Sequence, residues 1–253
     1  MLFQQDRNQQ AVKAVQAALA SPRTLSYKLL ECEFPAVASL NKLGDGSLRS
    51  ANEVDDANLA TAKMMVQSIS PLIPGLMGPA VRLLTSSAAS ATFQRKAATA
   101  LNDQYVHCLK QGLPAVKSRD VCVLVTPCNS ADYDMAQRLV SNGNAVVLVN
   151  ALAKDPKSVS GSATMAYFLK PLTYNSSIAG YLIRSYPGPW TVVEATTKAA
   201  GGSGASTSTV LLATFTDAEI LVPGTNTPDL RAAVRLVQKA VDARAIRARS
   251  KQP

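Results

Sequence analysis

Residues 121–150, VCVLVTPCNSADYDMAQRLVSNGNAVVLVN, decide the fold. A nearly unbroken apolar run is followed by a polar turn, an acidic helical start, a Ser-Asn-Gly-Asn stop and a second apolar run, which reads as strand, helix, strand. Asp132 and Asp134 fall in the first turn of the helix, where its dipole favours negative charge, and Gly143 is the expected left-handed stop. Two parallel strands joined through a helix cross over right-handedly, so the sheet is at least partly parallel. The turn after the first strand, Thr126-Pro127-Cys128-Asn129-Ser130, carries no glycine fingerprint and no Lys-Thr pair to hold a phosphate.

Outward from this unit, the C-terminal side changes texture. Residues 166–172, 179–186 and 190–195 are short strand-like runs separated by Asn175-Ser176-Ser177 and Pro187-Gly188-Pro189, a spacing that predicts antiparallel hairpins. Residues 198–208 have loop composition, and their Gly201-Gly202-Ser203-Gly204 reads as linker more readily than as an anion nest. Residues 209–215 form another strand, and 219–222 read as an extension of the sheet. Thr227-Pro228-Asp229 then opens a basic C-terminal helix over 228–249, with Leu230, Val234, Val237 and Val241 as its buried stripe.

On the N-terminal side, residues 4–20 predict a helix with Val12, Val15, Ala18 and Leu19 on one side, and 24–34 a strand. Residues 35–43 read as helix or turn, and Gly44-Asp45-Gly46 as a tight turn. Ser50 to Glu53 has capping-box spacing and opens a helix reaching Ile69, with Leu59, Ala62, Met65, Val66 and Ile69 inward. Residues 80–85 read as a central strand, with Thr85-Ser86-Ser87 as a cap. Phe93, Ala97, Leu101, Tyr105 and Cys108 then draw one helical stripe that ends at Gly112. The expectation is a single α/β domain over 1–253: a mixed, partly parallel sheet flanked by helices, with antiparallel strands over 163–222.

The chain's 253 residues suffice for a sizeable core, and 26 Lys and Arg against 17 Asp and Glu give a net charge of +9. That excess favours an anionic partner, such as a lipid surface or an acidic protein. Four cysteines (Cys32, Cys108, Cys122, Cys128) without a C-x-x-C, and a single histidine, His107, argue against a zinc site; no metal and no cofactor are expected. The thiols read as reduced, with Cys128 singled out because a turn before a helix start can activate a thiol. No run of about eighteen apolar residues exists, so no transmembrane segment is expected. The first ten residues have neither a signal peptide's apolar core nor transit-peptide composition.

For nucleophilic catalysis a base must stand beside a Ser or Cys, and the single His107, with no elbow motif, argues against a Ser/His/Asp site. Walker and kinase signatures are absent. Charge permits nucleic-acid binding, but the few aromatics form no RNA-binding run, so nucleic acid is not favoured. Trp190 reads as a core anchor. Open α/β sheets place ligands outside the strand C-termini, which nominates Asn129, Ser130 and Asn150 as a polar crevice; the competing reading is a helix cap plus a loop asparagine. Arg231, Arg235, Lys239, Arg244, Arg247, Arg249 and Lys251, on and after the last helix, are the candidate contact with an anionic surface or partner.

Two segments together, VLVTPCNSADYDMAQRLVSNGNAVVLVN and YFLKPLTYNSSIAGYLIRSYPGPWTVV, with the earlier LLECEFPAVASLNKLGDGSLRSANE, resemble an uncharacterised domain of cyanobacteria and plastids. That domain occurs in the low photosystem II accumulation proteins of chloroplasts and as an extension of a plastid adenylate kinase. The resemblance covers residues 4–222, and no adenylate kinase signature accompanies it. It implies a chloroplast protein, stromal or at the stromal face of the thylakoid, that assists assembly or maintenance of photosystem II through a photosynthetic membrane complex or its assembly factors. It supplies no catalytic residues. The leading expectation is therefore a non-enzymatic factor acting by surface contact; the alternative is an enzyme or sensor binding a small anion or nucleotide at the crevice.

Overall fold

The structure, a computed structural model, describes residues 4–21, 29–35, 51–69, 80–151, 163–198 and 206–250. Among these, nine strands form one mixed sheet. In chain order the elements are α1 (Gln4–Ala20), β1 (Leu29–Glu33), α2 (Ala51–Ile69), β2 (Val81–Thr85), α3 (Ala91–Leu101), β3 (Val106–Cys108), β4 (Val121–Val125), α4 (Ser130–Ser141), β5 (Ala145–Val149), β6 (Thr164–Tyr174), β7 (Ser177–Ser185), β8 (Trp190–Lys198), β9 (Ser206–Phe215), α5 (Asp217–Ile220) and α6 (Leu230–Arg249). The spatial order is β3-β2-β4-β5-β1-β6-β7-β8-β9.

The strand-helix-strand expected at 121–150 is present. β4 and β5 pair in parallel, Val121 opposite Ala145 through Val125 opposite Val149, and every residue of both strands is buried. An all-apolar run without alternation suits a strand covered on both faces. One cover is α1, α2 and α3, whose Val12, Val15, Met65, Val66 and Phe93 pack on Val123, Val125 and Val147. The other is α4, whose Tyr133, Ala136 and Leu139 pack on Cys122, Leu124, Val146 and Leu148. Each buried Val, Leu, Met or Phe among them contributes about 1.5–3 kcal/mol by leaving water. Gly143 ends α4 at φ +86°, and a Cβ there would stand 2.7 Å from Ser118 Oγ.

β6 is the hinge of the sheet. It runs parallel to β1 on one side and antiparallel to β7 on the other, and β7, β8 and β9 continue antiparallel as the hairpin spacing predicts. Asn175 and Ser176 make the β6–β7 turn with φ values of 49° and 59°, the positive pair that a two-residue hairpin turn requires. α6 covers this half on one face, packing Ala233 and Val237 on Phe168, Leu182, Trp190 and Val192. Gly180 permits the approach: a Cβ there would stand 2.8 Å from Val237 Cγ2 and 2.3 Å from the Val193 carbonyl.

Four expectations are corrected. The single helical stripe from Phe93 to Cys108 is broken after Leu101, because Asn102 takes φ 74° and the chain turns through 103–105 into β3. Phe93 and Ala97 do face inward, but Cys108 is buried from a strand, paired through Thr85 of β2. The cap of α3 is Ser90, which accepts from the Phe93 amide at 3.1 Å, and Thr85-Ser86-Ser87 serve another purpose. Residues 219–222 do not extend the sheet: Thr216 and Glu219 form a capping box that starts the short α5. The last helix begins at Leu230 with Asp229 as its cap, because Pro228 is held in a bridge to Leu221. The strand expected over 24–34 spans Leu29–Glu33, with 22–28 outside the described residues. The readings of 36–43, of Gly44-Asp45-Gly46, of the Ser50 cap and of Gly201 to Gly204 also lie outside them.

Candidate functional site

Connections leave β2 and β4, neighbours in the sheet, on opposite faces: α3 follows β2 over the α1–α2 side, and α4 follows β4 over the other. Such a switch point opens a crevice at the strand C-termini, the usual ligand position in this architecture. It is bordered here by Ser86 and Ser87 after β2 and by Thr126 to Ser130 after β4.

The crevice is filled by the protein's own polar groups. Asp132, fully buried in the first turn of α4, accepts from Ser86 Oγ at 2.6 Å, from the Ser87 amide at 2.8 Å and from the Cys128 amide at 3.0 Å. Burial alone would raise its carboxyl, but these donors outweigh it and hold the group below the usual carboxylate range. Asn129 caps α4 by accepting from the Asp132 amide at 2.9 Å, and its Nδ2 donates to Ser87 Oγ at 2.9 Å. Ser86 gives its one proton to Asp132, so the Cys128 thiol, 3.1 Å away, is the donor to Ser86 Oγ. These bonds bind the ends of β2 and β4 to the start of α4.

Asn150 stands one strand over, at the end of β5, with φ 49°. Its Oδ1 accepts from the Phe34 amide at 2.9 Å and its Nδ2 donates to Asn58 Oδ1 at 2.7 Å, so it fastens β5 to the end of β1 and to α2. Asn129 and Asn150 therefore share the C-terminal edge of the sheet but turn away from each other, one toward β2 and the other toward β1. Ser130 is exposed at the start of α4 and makes no side-chain hydrogen bond among the described residues.

Sequence reasoning assigned Asp132 to the helix dipole and missed its buried role, and it missed Ser86, Ser87 and Asn58. The available signal was a Ser-Ser pair after one strand and an Asn-Ser-Ala-Asp cap after the next. It also missed Glu31, fully buried in β1, whose Oε2 accepts from Asn226 Nδ2 in the segment before α6; an acid set between Leu30 and Cys32 was the clue. Arg7, buried in α1, lies 4.9 Å from the Phe34 ring centre and donates to the Pro35 carbonyl.

All four thiols are free. Burial pushes the Cys122 thiol up to about 12, reinforced by Asp120, and raises Cys32 further, so both are protonated core residues. No His, Cys, Asp and Glu cluster able to hold a metal exists among the described residues. His107 lies half-buried in β3, where its Nε2 donates to the Gly112 carbonyl at 2.9 Å. Trp190 is a core anchor, as expected: fully buried, with Nε1 donating to Asp217 at 2.6 Å.

The basic candidates sit at the opposite end of the sheet. Arg231 forks onto Asp229, and Arg244 reaches Glu194 of β8 at 2.9 Å. Arg235, Lys239, Arg247 and Arg249 are exposed and enter no salt bridge among the described residues; Lys251 lies outside them. From Asp242 to Ser250 every residue is exposed, Ile246 at 67%. Beside this stretch, Tyr174, Ile178, Ala195, Thr196, Val241 and Arg244 line an open groove of about 660 Å³ between the β6–β7 turn and α6.

A family model described as a domain of unknown function, DUF1995, matches residues 5–218. The chain belongs to that family. No curated protein and no solved structure matches it. The DUF1995 match spans the sheet from α1 through β9 and stops before α6, so the crevice lies inside the matched region and the basic helix outside it. No described helix is long and apolar enough to cross a membrane.

Proposed function

We propose that this DUF1995 protein is a non-enzymatic chloroplast factor that assists assembly or maintenance of photosystem II by surface contact with a photosynthetic complex or with the stromal face of the thylakoid. The observation that carries the reading is the final helix. Its last turns project free of the core with Arg247 and Arg249 in no salt bridge among the described residues, Lys239 and Arg235 exposed behind them, and Ile246 bare beside them. A basic helix face with an exposed aliphatic side chain suits an anionic surface, each cation near such a surface contributing about 1 kcal/mol. The switch-point crevice points the same way, because Asp132, Asn129 and Asn150 are engaged in fastening strands and helices together. The plastid and photosystem assignment comes from the resemblance to the low photosystem II accumulation proteins.

The test is co-purification. Tagged protein is expected to recover a photosystem II subcomplex from solubilised thylakoids, and a variant with Arg247→Glu and Arg249→Glu to lose it while keeping its melting temperature. A wild-type protein that recovers no photosystem subunit would contradict the proposal. A thermal-shift screen against nucleotides and small anions tests the crevice reading, since a ligand at a hundred times its Kd stabilises by about 2.7 kcal/mol.

A further inference from the structure

The sheet has two edges, and the protein treats them differently. At one end β3 is only three residues long and is flanked by tight helical turns at 103–105 and 109–111; Arg82 Nη1 also donates to the Gln104 carbonyl beside it. A short edge of this kind offers little to an incoming strand. At the other end β9 is ten residues long, STSTVLLATF, with no charged residue and no proline. It pairs with β8 on its inner side and with no strand on its outer side among the described residues. Val210 and Leu211, in the middle of the strand, are 51% and 61% exposed.

These two side chains point to opposite faces. Val210 stands opposite Glu194, on the side of α6, and Leu211 opposite Val193, on the other side. One helix laid on the sheet would cover one of them; a strand added at the edge flanks both. The register from Ser206 to Leu211 is unbroken against Lys198 to Val193, and the bulge comes only after it, at Leu212. A bulge bends the far end of an edge strand away from pairing, so the run open to a partner is the one ending in the exposed Val-Leu pair.

We infer that β9 pairs antiparallel with β9 of a second copy of this chain, about a two-fold axis near Ser208 and Thr209, making one continuous sheet across a homodimer. The strand's chemistry selects this occupant. A two-fold interface sets a surface against itself, and the uncharged Ser, Thr, Val and Leu of this strand can face one another in any order, whereas a charge near the axis would meet its like. In two chains of +9 each, an uncharged seam keeps like charges out of the contact. The seam is small, about 20 Å of strand from each copy, which puts the dimer among weak, reversible interfaces. The pairing is independent of the proposed photosystem contact and has the opposite salt response: binding to an anionic surface weakens as salt rises, and self-association of two basic chains strengthens.

Sedimentation velocity of the full chain across about 1 to 100 μM, at low and high salt, tests it. A monomer–dimer equilibrium that tightens with salt is expected, and Val210→Lys or Leu211→Lys is expected to shift the dissociation constant at least tenfold without changing the melting temperature measured at high dilution, where the chain is monomeric. Because both residues are exposed, the variants are expected to fold; circular dichroism checks that. Hydrogen exchange is the second measurement: the outward-facing amides of 206–211, those not bonded to β8, are expected to slow with protein concentration. A monomer at every concentration overturns the inference, and so does a dimer untouched by both lysines. Concentration-independent protection of the outward-facing amides of 206–211, those not bonded to β8, also overturns it, since another segment of the same chain would then cover the edge.

Discussion

The parallel and antiparallel halves of this sheet solve the same packing problem in different ways. In the parallel half, from β3 to β1, helices cover both faces, and buried polar side chains fasten the strand ends: Asp132, Ser86 and Asn129 at the C-termini of β2 and β4, Asn150 between β5, β1 and α2. Asp120 does the same at the N-termini, accepting from the Ala80 and Lys117 amides. In the antiparallel half the hairpins hold themselves together, one helix covers one face, and the polar partners are the near-surface pairs Arg184–Asp217 and Arg244–Glu194. The difference bears on the proposed contact: the polar side chains at the strand ends of the first half are engaged with one another, and the second carries the groove beside α6, the basic helix end and a strand edge unpaired among the described residues.

The largest way to break that comparison is through the apolar joint of the second half. Trp190→Ala empties a fully buried site against Phe168 and removes the indole donor to Asp217, and about 4 kcal/mol of stability is expected to be lost in chemical denaturation. Hydrogen exchange should then rise first in α6; an equal rise in β4 and β5 would mean that the halves are not separable.

Asp132→Ala is expected to cost about 3 kcal/mol, because the amides of Ser87 and Cys128 lose their acceptor in a buried site. Its pH signature follows from the sign of the shift. A carboxyl held lower in the folded state than its unfolded value of about 3.9 gives stability that is complete above that value and is lost as pH falls through the folded one. Wild-type stability should therefore drop more steeply in acid than that of Asp132→Asn, and parallel curves would remove Asp132 from the account.

A smaller effect sharpens the reading of Asn150. Asn150→Gly keeps the positive φ and deletes only the side-chain bonds to Phe34 and Asn58, so about 1–2 kcal/mol is expected to go, with binding to thylakoids unchanged. The smallest effect belongs to the edge: Leu211→Lys is expected to change monomer stability by less than about 0.5 kcal/mol, measured by thermal denaturation at high dilution.

What was legible in the sequence follows from the range of the forces involved. The β4–α4–β5 unit and the hairpins could be read because all-apolar runs, Gly143 and the Asn175-Ser176 turn are local signals. The long helix drawn through Tyr105 failed because residues spaced for one helical face also serve a helix followed by an edge strand, and β3 exists only by pairing with β2. The start of α6 was misplaced for the same reason: Pro228 is committed to a bridge with Leu221, which no local rule reveals. The crevice residues were correctly placed along the strand C-termini. Their engagement was invisible, since Ser86 and Asp132, or Asn58 and Asn150, meet only once the strand order is known. The basic residues of the last helix were legible as charge, and the structure adds which are paired among the described residues: Arg231 and Arg244 are, Arg247 and Arg249 are not.

The most direct test of surface contact through the antiparallel half is hydrogen exchange of the chain with and without thylakoid membranes. The account predicts slowed exchange over the exposed end of α6, from Lys239 to Ser250, with the amides around Asn129, Ser130 and Asn150 unchanged. Protection confined to those strand ends, with α6 exchanging as freely as in solution, would contradict it.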